Sequence, residues 1–185
     1  MKKIASLLLG LSLVLGMSSC GDGVNNEETP KDGKAVILEQ IEKTKVQLEE
    51  ASKANKPSYA EHLVTFYTDY ANQYPQDSLA PEMLFSAGNV YIGLGKYDRA
   101  IAQFNRIDKH YKDYIKRPEA IYLAGFVADY HQSQKGEAKK YYERVIELYP
   151  NHIFAADARK AIEALSMSDE DLVKMFQEKN KKEDA

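Results

Sequence analysis

Three stretches of this chain read alike. Gln73-Tyr-Pro-Gln-Asp-Ser-Leu-Ala-Pro-Glu82 returns as His110-Tyr-Lys-Asp-Tyr-Ile-Lys-Arg-Pro-Glu119, and again as Leu148-Tyr-Pro-Asn-His-Ile-Phe-Ala-Ala-Asp157. The tyrosines fall at 74, 111 and 149, so the spacings are 37 and 38 residues. Self-similarity at this period marks a solenoid, in which each repeat must stack on its neighbours to bury its apolar face. Glycine and proline are few and sit between periodic apolar segments, which restricts the repeats to helices.

Apolar residues at steps of three and four predict helices over 34–52, 58–74, 79–91, 96–109, 117–130, 137–149 and 152–165. Ser78 is the expected N-cap of the third, with Pro81 in a first turn where a missing N–H costs nothing. Gly93 and Gly95 are expected to end it. A capping box at Ser168-Asp-Glu-Asp171 predicts a short eighth helix with Leu172, Met175 and Phe176 on one face. In the first helix, Leu38, Ile41 and Leu48 also fit a heptad, but Lys45 stands at the fourth position. That interruption favours an end-cap helix over a coiled coil.

The start of the chain reads differently. Lys2 and Lys3 precede an apolar run from Ile4 to Met17, and small residues then lead to Cys20. A basic segment, a short apolar run and small residues before a cleavage point have the form of a secretory signal, here residues 1–19. The run is too short for the roughly 20 residues that span a bilayer as a helix. Met17-Ser18-Ser19-Cys20-Gly21 resembles a bacterial lipobox, which implies cleavage before Cys20, diacylglycerol on its sulfur and an acyl chain on the new amino terminus. Cys20 is the only cysteine, so no disulfide can form within the chain. More than one acyl chain gives stable membrane anchoring where a single chain is marginal. Residues 20–33 then form the lipidated cysteine and a polar, turn-rich tether whose reach is on the order of 20 Å. The helical domain is expected over 34–181 and a disordered tail over 182–185. Gly21 does not resemble the aspartate that retains some lipoproteins at the inner membrane. The expected address is therefore the outer membrane, lipid-anchored on the periplasmic face.

Charge excludes one class of partner. Lys and Arg number 25 against 28 Asp and Glu, and removing Lys2 and Lys3 with the signal leaves 23 against 28, or −5. Nucleic-acid binding needs a basic stripe, and none is present.

Within the repeats, Leu84-x₂-Ala87-Gly88-x₂-Tyr91 followed by Ala100-x₃-Phe104 resembles the tetratricopeptide repeat (TPR) signature, with Leu84 in place of its tryptophan and Ala87 in place of its leucine. Ile121-x₂-Ala124-Gly125-x₂-Ala128, then Ala138-x₃-Tyr142 and Pro150, matches again with one extra residue in the 132–136 turn. The resemblance implies an all-α TPR-like solenoid of about eight helices. Small residues such as Gly88 and Ala100 are expected where two helices of a hairpin cross. The copied Tyr-Pro stretch also resembles the repeats of envelope TPR proteins of the barrel-assembly machinery and of the Tol-Pal-associated periplasmic coordinator. That likeness implies a protein partner among envelope components, and a role in envelope assembly or maintenance.

In this repeat family the first helix of each hairpin lines a concave groove. Carried over, the resemblance points to Glu82, Phe85, Asn89 and Ile92 in one repeat, and to Glu119, Tyr122, Phe126, Asp129 and Tyr130 in the next. Phe85, Asn89, Tyr122, Phe126 and Tyr130 are the expected partner-binding residues, because aromatic anchors within a polar rim suit an interface. A glycan or peptidoglycan fragment held on the same aromatics is the alternative. Phe85 and Phe126 equally suit packing against a neighbouring repeat or the terminal helix, and the sequence leaves both open. A carboxylate clamp does not fit, since only Asn89 matches it and Phe85 stands where a lysine is needed.

Nothing in the chain predicts catalysis or a cofactor. Gly88-x₄-Gly93-Leu94-Gly95-Lys96 lacks the Lys-Ser/Thr end of a phosphate loop and follows a helix rather than a strand. His62, His110, His131 and His152 are far apart and in no metal-ligand spacing, so no metal site is expected.

Overall fold

The computed structural model describes residues 32–168 and, beyond them, positions 170, 171, 173 and 177. Among the described residues there are seven helices: α1 (Gly33–Glu50), α2 (Lys56–Gln73), α3 (Ala80–Gly93), α4 (Tyr97–His110), α5 (Arg117–Tyr130), α6 (Lys135–Leu148) and α7 (Ile153–Ser166). Each packs on the helix before and after it, and α7 also reaches back to α5. This is the all-α solenoid of stacked hairpins that the period demanded. None of these helices is long and apolar enough to cross a membrane.

Of the expected eighth helix, the described positions 170, 171, 173 and 177 are helical. Ser168 Oγ accepts from the Asp171 N–H at 3.2 Å, the N-cap half of a capping box, and donates to the Asp171 carboxylate at 2.7 Å. Leu172, Met175 and Phe176 lie outside the described residues, as do Cys20 and the segment before residue 32.

The small residues sit where the hairpins cross. A Cβ at Gly88 would lie 2.5 Å and 2.7 Å from ring carbons of Phe104, and one at Gly125 would lie 2.9 Å from Tyr142. Phe104 and Tyr142 are the same position in successive repeats, and both are fully buried. Ala100 and Ala138, one helical turn earlier on α4 and α6, are also sealed. The two repeats therefore use one device, a ring laid flat against a bare stretch of helix.

Turn chemistry corrects two expectations. Ser78 is exposed and does not cap α3; Leu79 holds the N-cap position. The Asp77 carboxylate accepts the Leu79 N–H at 2.8 Å instead, together with the Tyr70 hydroxyl at 2.9 Å and an ion pair from Lys34. A carboxylate bonding the backbone two residues on makes the same turn as a serine cap and also ties α1, α2 and α3 together. Gly93 is still helical, and the chain reverses at Gly95, with φ +70°. In the longer 131–134 turn the left-handed position falls to Ser133, at φ 53°.

The turns fall on two opposite edges. Tyr111 donates to the Pro75 carbonyl at 3.0 Å, and Arg117 donates to the Tyr149 hydroxyl at 3.0 Å, so the α2–α3, α4–α5 and α6–α7 turns lie in a row. The N-terminus of α1 joins them, since Lys34 pairs with Asp77 and Gly33 lies against the Tyr74 hydroxyl. We call this the entry edge. On the other edge Lys96 pairs with Glu61 and Gln132 donates to Asp98.

One buried ionic cluster locks three helices on the entry edge. Asp108 on α4 accepts from Arg117 of α5 at 2.8 and 3.0 Å and from Arg144 of α6 at 2.6 Å. Arg117 is only 7% exposed. Burial opposes ionisation of Asp108, but hydrogen bonds from Arg144 and Arg117 outweigh it and hold the carboxyl below its ordinary range.

Candidate partner-binding groove

The expected groove residues lie on α3 and α5 at helical steps, and the structure sorts them by depth. On α3, Glu82 is committed within the protein. It accepts from the Tyr114 hydroxyl at 2.6 Å and from Lys116 at 2.9 Å. Burial again opposes its charge, and those two donors still keep its carboxyl below the usual range. Phe85 is 7% exposed, with its ring 5.9 Å from Phe104 and 6.4 Å from Tyr114. Lys116 Nζ sits 5.0 Å over its outer face. Phe85 is thus a core residue sealed by the α4–α5 turn. Ile92 is partly buried against the same core, while Asn89 is exposed.

The equivalent place on α5 is covered in the same manner. Tyr122 stands one repeat after Phe85, and its ring packs 5.6 Å from Tyr142 and 5.3 Å from Phe154 of α7. Burial pushes its phenol up, and the negative charge of Asp157 adds to the effect. In both repeats, then, the first aromatic of the inner helix is covered by side chains of the next repeat, from the α4–α5 turn over Phe85 and from the start of α7 over Tyr122.

One turn further along α5 the surface opens. Phe126 and Tyr130 stack at 4.8 Å with an interplanar angle of 23°, and Tyr130 is 74% exposed. Phe126 also meets His131 edge-on at 6.0 Å, and His131 stacks on Tyr97 at 4.3 Å. Tyr97 and His131 therefore lengthen the aromatic strip toward the α3–α4 turn. Spacing along α5 alone could not find Tyr97, which arrives from another helix. Asp129 lies beside this strip, and burial raises its carboxyl while Lys135 opposes the shift. Among the described residues no group of three or more potential ligands could hold a metal ion.

The groove thus has three states of access. Phe85 is closed, Tyr122 and Phe126 are half-buried, and Asn89 and Tyr130 are exposed. What the arrangement can do chemically is bind. It offers a rigid helical face with stacked rings and a carboxylate at one end.

Comparison with known proteins agrees with this geometry. Two models described as tetratricopeptide repeat match the chain, over residues 81–109 and 119–152. Those spans cover α3–α4 and α5–α6 with the turn that follows. Fold and repeat together define the class: an all-α TPR solenoid, the fold of a protein-interaction module. No curated protein sequence matches the chain. Among solved structures, the first TPR domain of human RPAP3 is 27% identical with a TM-score of 0.50, covering 72% of this chain and 95% of that one. The first TPR of Spaghetti (RPAP3), solved bound to the HSP90 peptide SRMEEVD, is 24% identical with a TM-score of 0.50, covering 71% and 94%.

Proposed function

We propose that this chain is a lipid-anchored TPR module that captures a protein partner during cell-envelope assembly or maintenance. The observation that carries the binding role is the stacked Phe126–Tyr130 pair. It leaves a large ring 74% exposed at the end of a helix whose other aromatics, Tyr122 and Phe126, are half-buried. Exposed aromatics on a rigid frame are the residue type that dominates interface energetics, since they bring large contact area with little conformational freedom to lose. The mechanism is recognition without covalent chemistry: the helices hold the strip in place, and an extended or helical segment lies along it. Anchoring rests on Lys2 and Lys3, the apolar run and the lipobox-like sequence at Cys20; the outer-membrane address rests on Gly21 in place of a retaining aspartate, and the envelope role on the resemblance to envelope TPR proteins.

Cys20→Ser should move the protein from the membrane to the soluble fraction; unchanged membrane retention refutes the anchor. Phe126→Ala with Tyr130→Ala should reduce crosslinked partner in intact cells while leaving helicity intact, and undiminished capture clears these residues of the role. The flat ring stack beside Asp129 also favours a second reading, a glycan or peptidoglycan fragment as ligand, and a glycan array probed with the folded domain separates the two.

A further inference from the structure

Exposed large apolar side chains are distributed unevenly over the fold. Eight are exposed among the described residues, and five of them, Val36, Leu79, Ile115, Leu148 and Ile153, lie at helix ends on the entry edge. Ile115 is 84% exposed and Ile153 is 68% exposed. They occupy the same place in successive repeats, 38 residues apart, and the row of tyrosine contacts sets their turns side by side. Scattered surface apolar residues need no explanation, but an aligned row at one edge does.

The same edge carries cations. Lys109 and Lys112 precede Ile115, against Asp113 alone among acidic residues of that turn. Asp77 is engaged by Lys34, Asp108 by two arginines and Glu82 by Lys116, while Glu119 and Glu147 also stand at helix ends on this edge. Between the α2–α3 and α4–α5 turns an open cleft of about 800 Å³ is lined by Arg106, His110, Lys112 and Ile115, among others. An exposed isoleucine flanked by long cationic side chains, as Ile115 is by Lys112 and Lys116, is the composition of a surface that dips into the headgroup region of a bilayer.

Chain geometry says what covers this edge. The chain enters the fold at Asp32, beside the α2–α3 turn, because Lys34 and Gly33 contact Asp77 and Tyr74. Only residues 21–31 lie between Cys20 and that point. The tether's reach, on the order of 20 Å, about equals the length of a 14-residue helix such as α3 or α5. A fold anchored through Cys20 and turned with its opposite edge to the membrane would need a tether drawn out to about its root-mean-square length merely to pass along its own helices, whereas the entry edge needs none of it.

We propose that the entry edge is a membrane-apposing surface, with Ile115 and Ile153 seated at the interface of an anionic bilayer and the Phe126–Tyr130 strip held at the far side. This inference rests on the anchored reading above. It adds an orientation: the lipid anchor and the isoleucine row together present the partner strip away from the membrane.

The chain has no tryptophan, so a single introduced one reports its own depth. The protein from Cys20 onward, coupled through Cys20 to a maleimide lipid, is placed on phosphatidylcholine/phosphatidylglycerol vesicles whose acyl chains are brominated. Ile115→Trp and Ile153→Trp should be quenched several-fold more strongly than Lys135→Trp on the opposite edge, and less so without phosphatidylglycerol. Equal emission at all three positions, or stronger quenching at 135, overturns the proposal. Circular dichroism on each variant confirms folding, which these exposed positions do not disturb. Mass spectrometry of the protein as made in cells reads acylation of Cys20 separately. A missing acyl mass defeats the native anchor, whereas unquenched tryptophans on the coupled protein defeat the orientation alone.

Discussion

Replacing Gly88 by alanine adds one methyl group at the point where α3 crosses α4. Its carbon would lie 2.5 Å and 2.7 Å from ring carbons of Phe104. Carbon atoms rest in contact at about 3.5–4.0 Å, so the ring must move by roughly 1 Å. Phe104 has no solvent to move into, and Phe85 stands 5.9 Å away on its flank. Overpacking of this kind costs about 1–3 kcal/mol, and the change from glycine to alanine within a helix returns about 1 kcal/mol. The balance is destabilising by about 1 kcal/mol, or about 3 °C in melting temperature. Gly136→Ala supplies the control, because nothing lies within 4 Å of its added carbon and only the helical gain remains. The same chemical change should therefore act with opposite sign at the two sites. Gly88→Leu adds three more carbons to the occupied space and should reach the upper end of the overpacking range. Urea unfolding followed by helical ellipticity gives each value. A cycle with Phe104→Leu should show coupling of about 1 kcal/mol, since the smaller side chain relieves the overlap. If Gly88→Ala stabilises as much as Gly136→Ala, or Gly88→Leu melts with the parent, the crossing has been misread.

Three other outcomes are expected. Asp108→Ala leaves the buried Arg117 without its carboxylate and should cost about 3 kcal/mol, at the low end for a broken buried pair because Arg144 can turn to solvent; a change below 1 kcal/mol, roughly that of a surface pair, would contradict the cluster. Asp77 has its carboxyl lowered from 3.8 to about 2, first by the hydrogen bond from Lys34 and then by the Leu79 N–H. A lowered folded pKa means its contribution is complete above the unfolded value near 3.8 and is lost as pH falls through about 2, so Asp77→Asn should flatten the urea midpoint between pH 4 and pH 2, and an unchanged acid profile would discount the link. Phe85→Ala should cost about 3–5 kcal/mol, as for a buried aromatic, whereas Phe126→Ala should cost much less and act on partner binding; equal stability losses would show that both rings are core.

Much of this fold was legible in the chain because helix formation is local. The 3.6-residue periodicity placed seven helices to within a few residues, and Gly88 and Gly125 could be matched to their crossings because a repeat must reuse its packing device. Register on the inner helices was legible for the same reason, so Phe85 and Asn89 fall at helical steps on α3, and Tyr122, Phe126 and Tyr130 on α5. Their depth was not. Phe85 is sealed by Tyr114 and Lys116, and Tyr122 is covered by Phe154, side chains about thirty residues away that belong to the following repeat. The capping of α3 escaped in a similar way, because Asp77 serves a turn, a neighbouring tyrosine and Lys34 at once. The buried Arg117 and the stacking of Tyr97 on His131 likewise join distant parts of the chain. Sequence by itself determined which residues share a helical face, because that depends on backbone geometry over a few residues. Only the tertiary structure decided which of those faces are lidded and which reach solvent, because burial is imposed by whatever the next repeat lays across them.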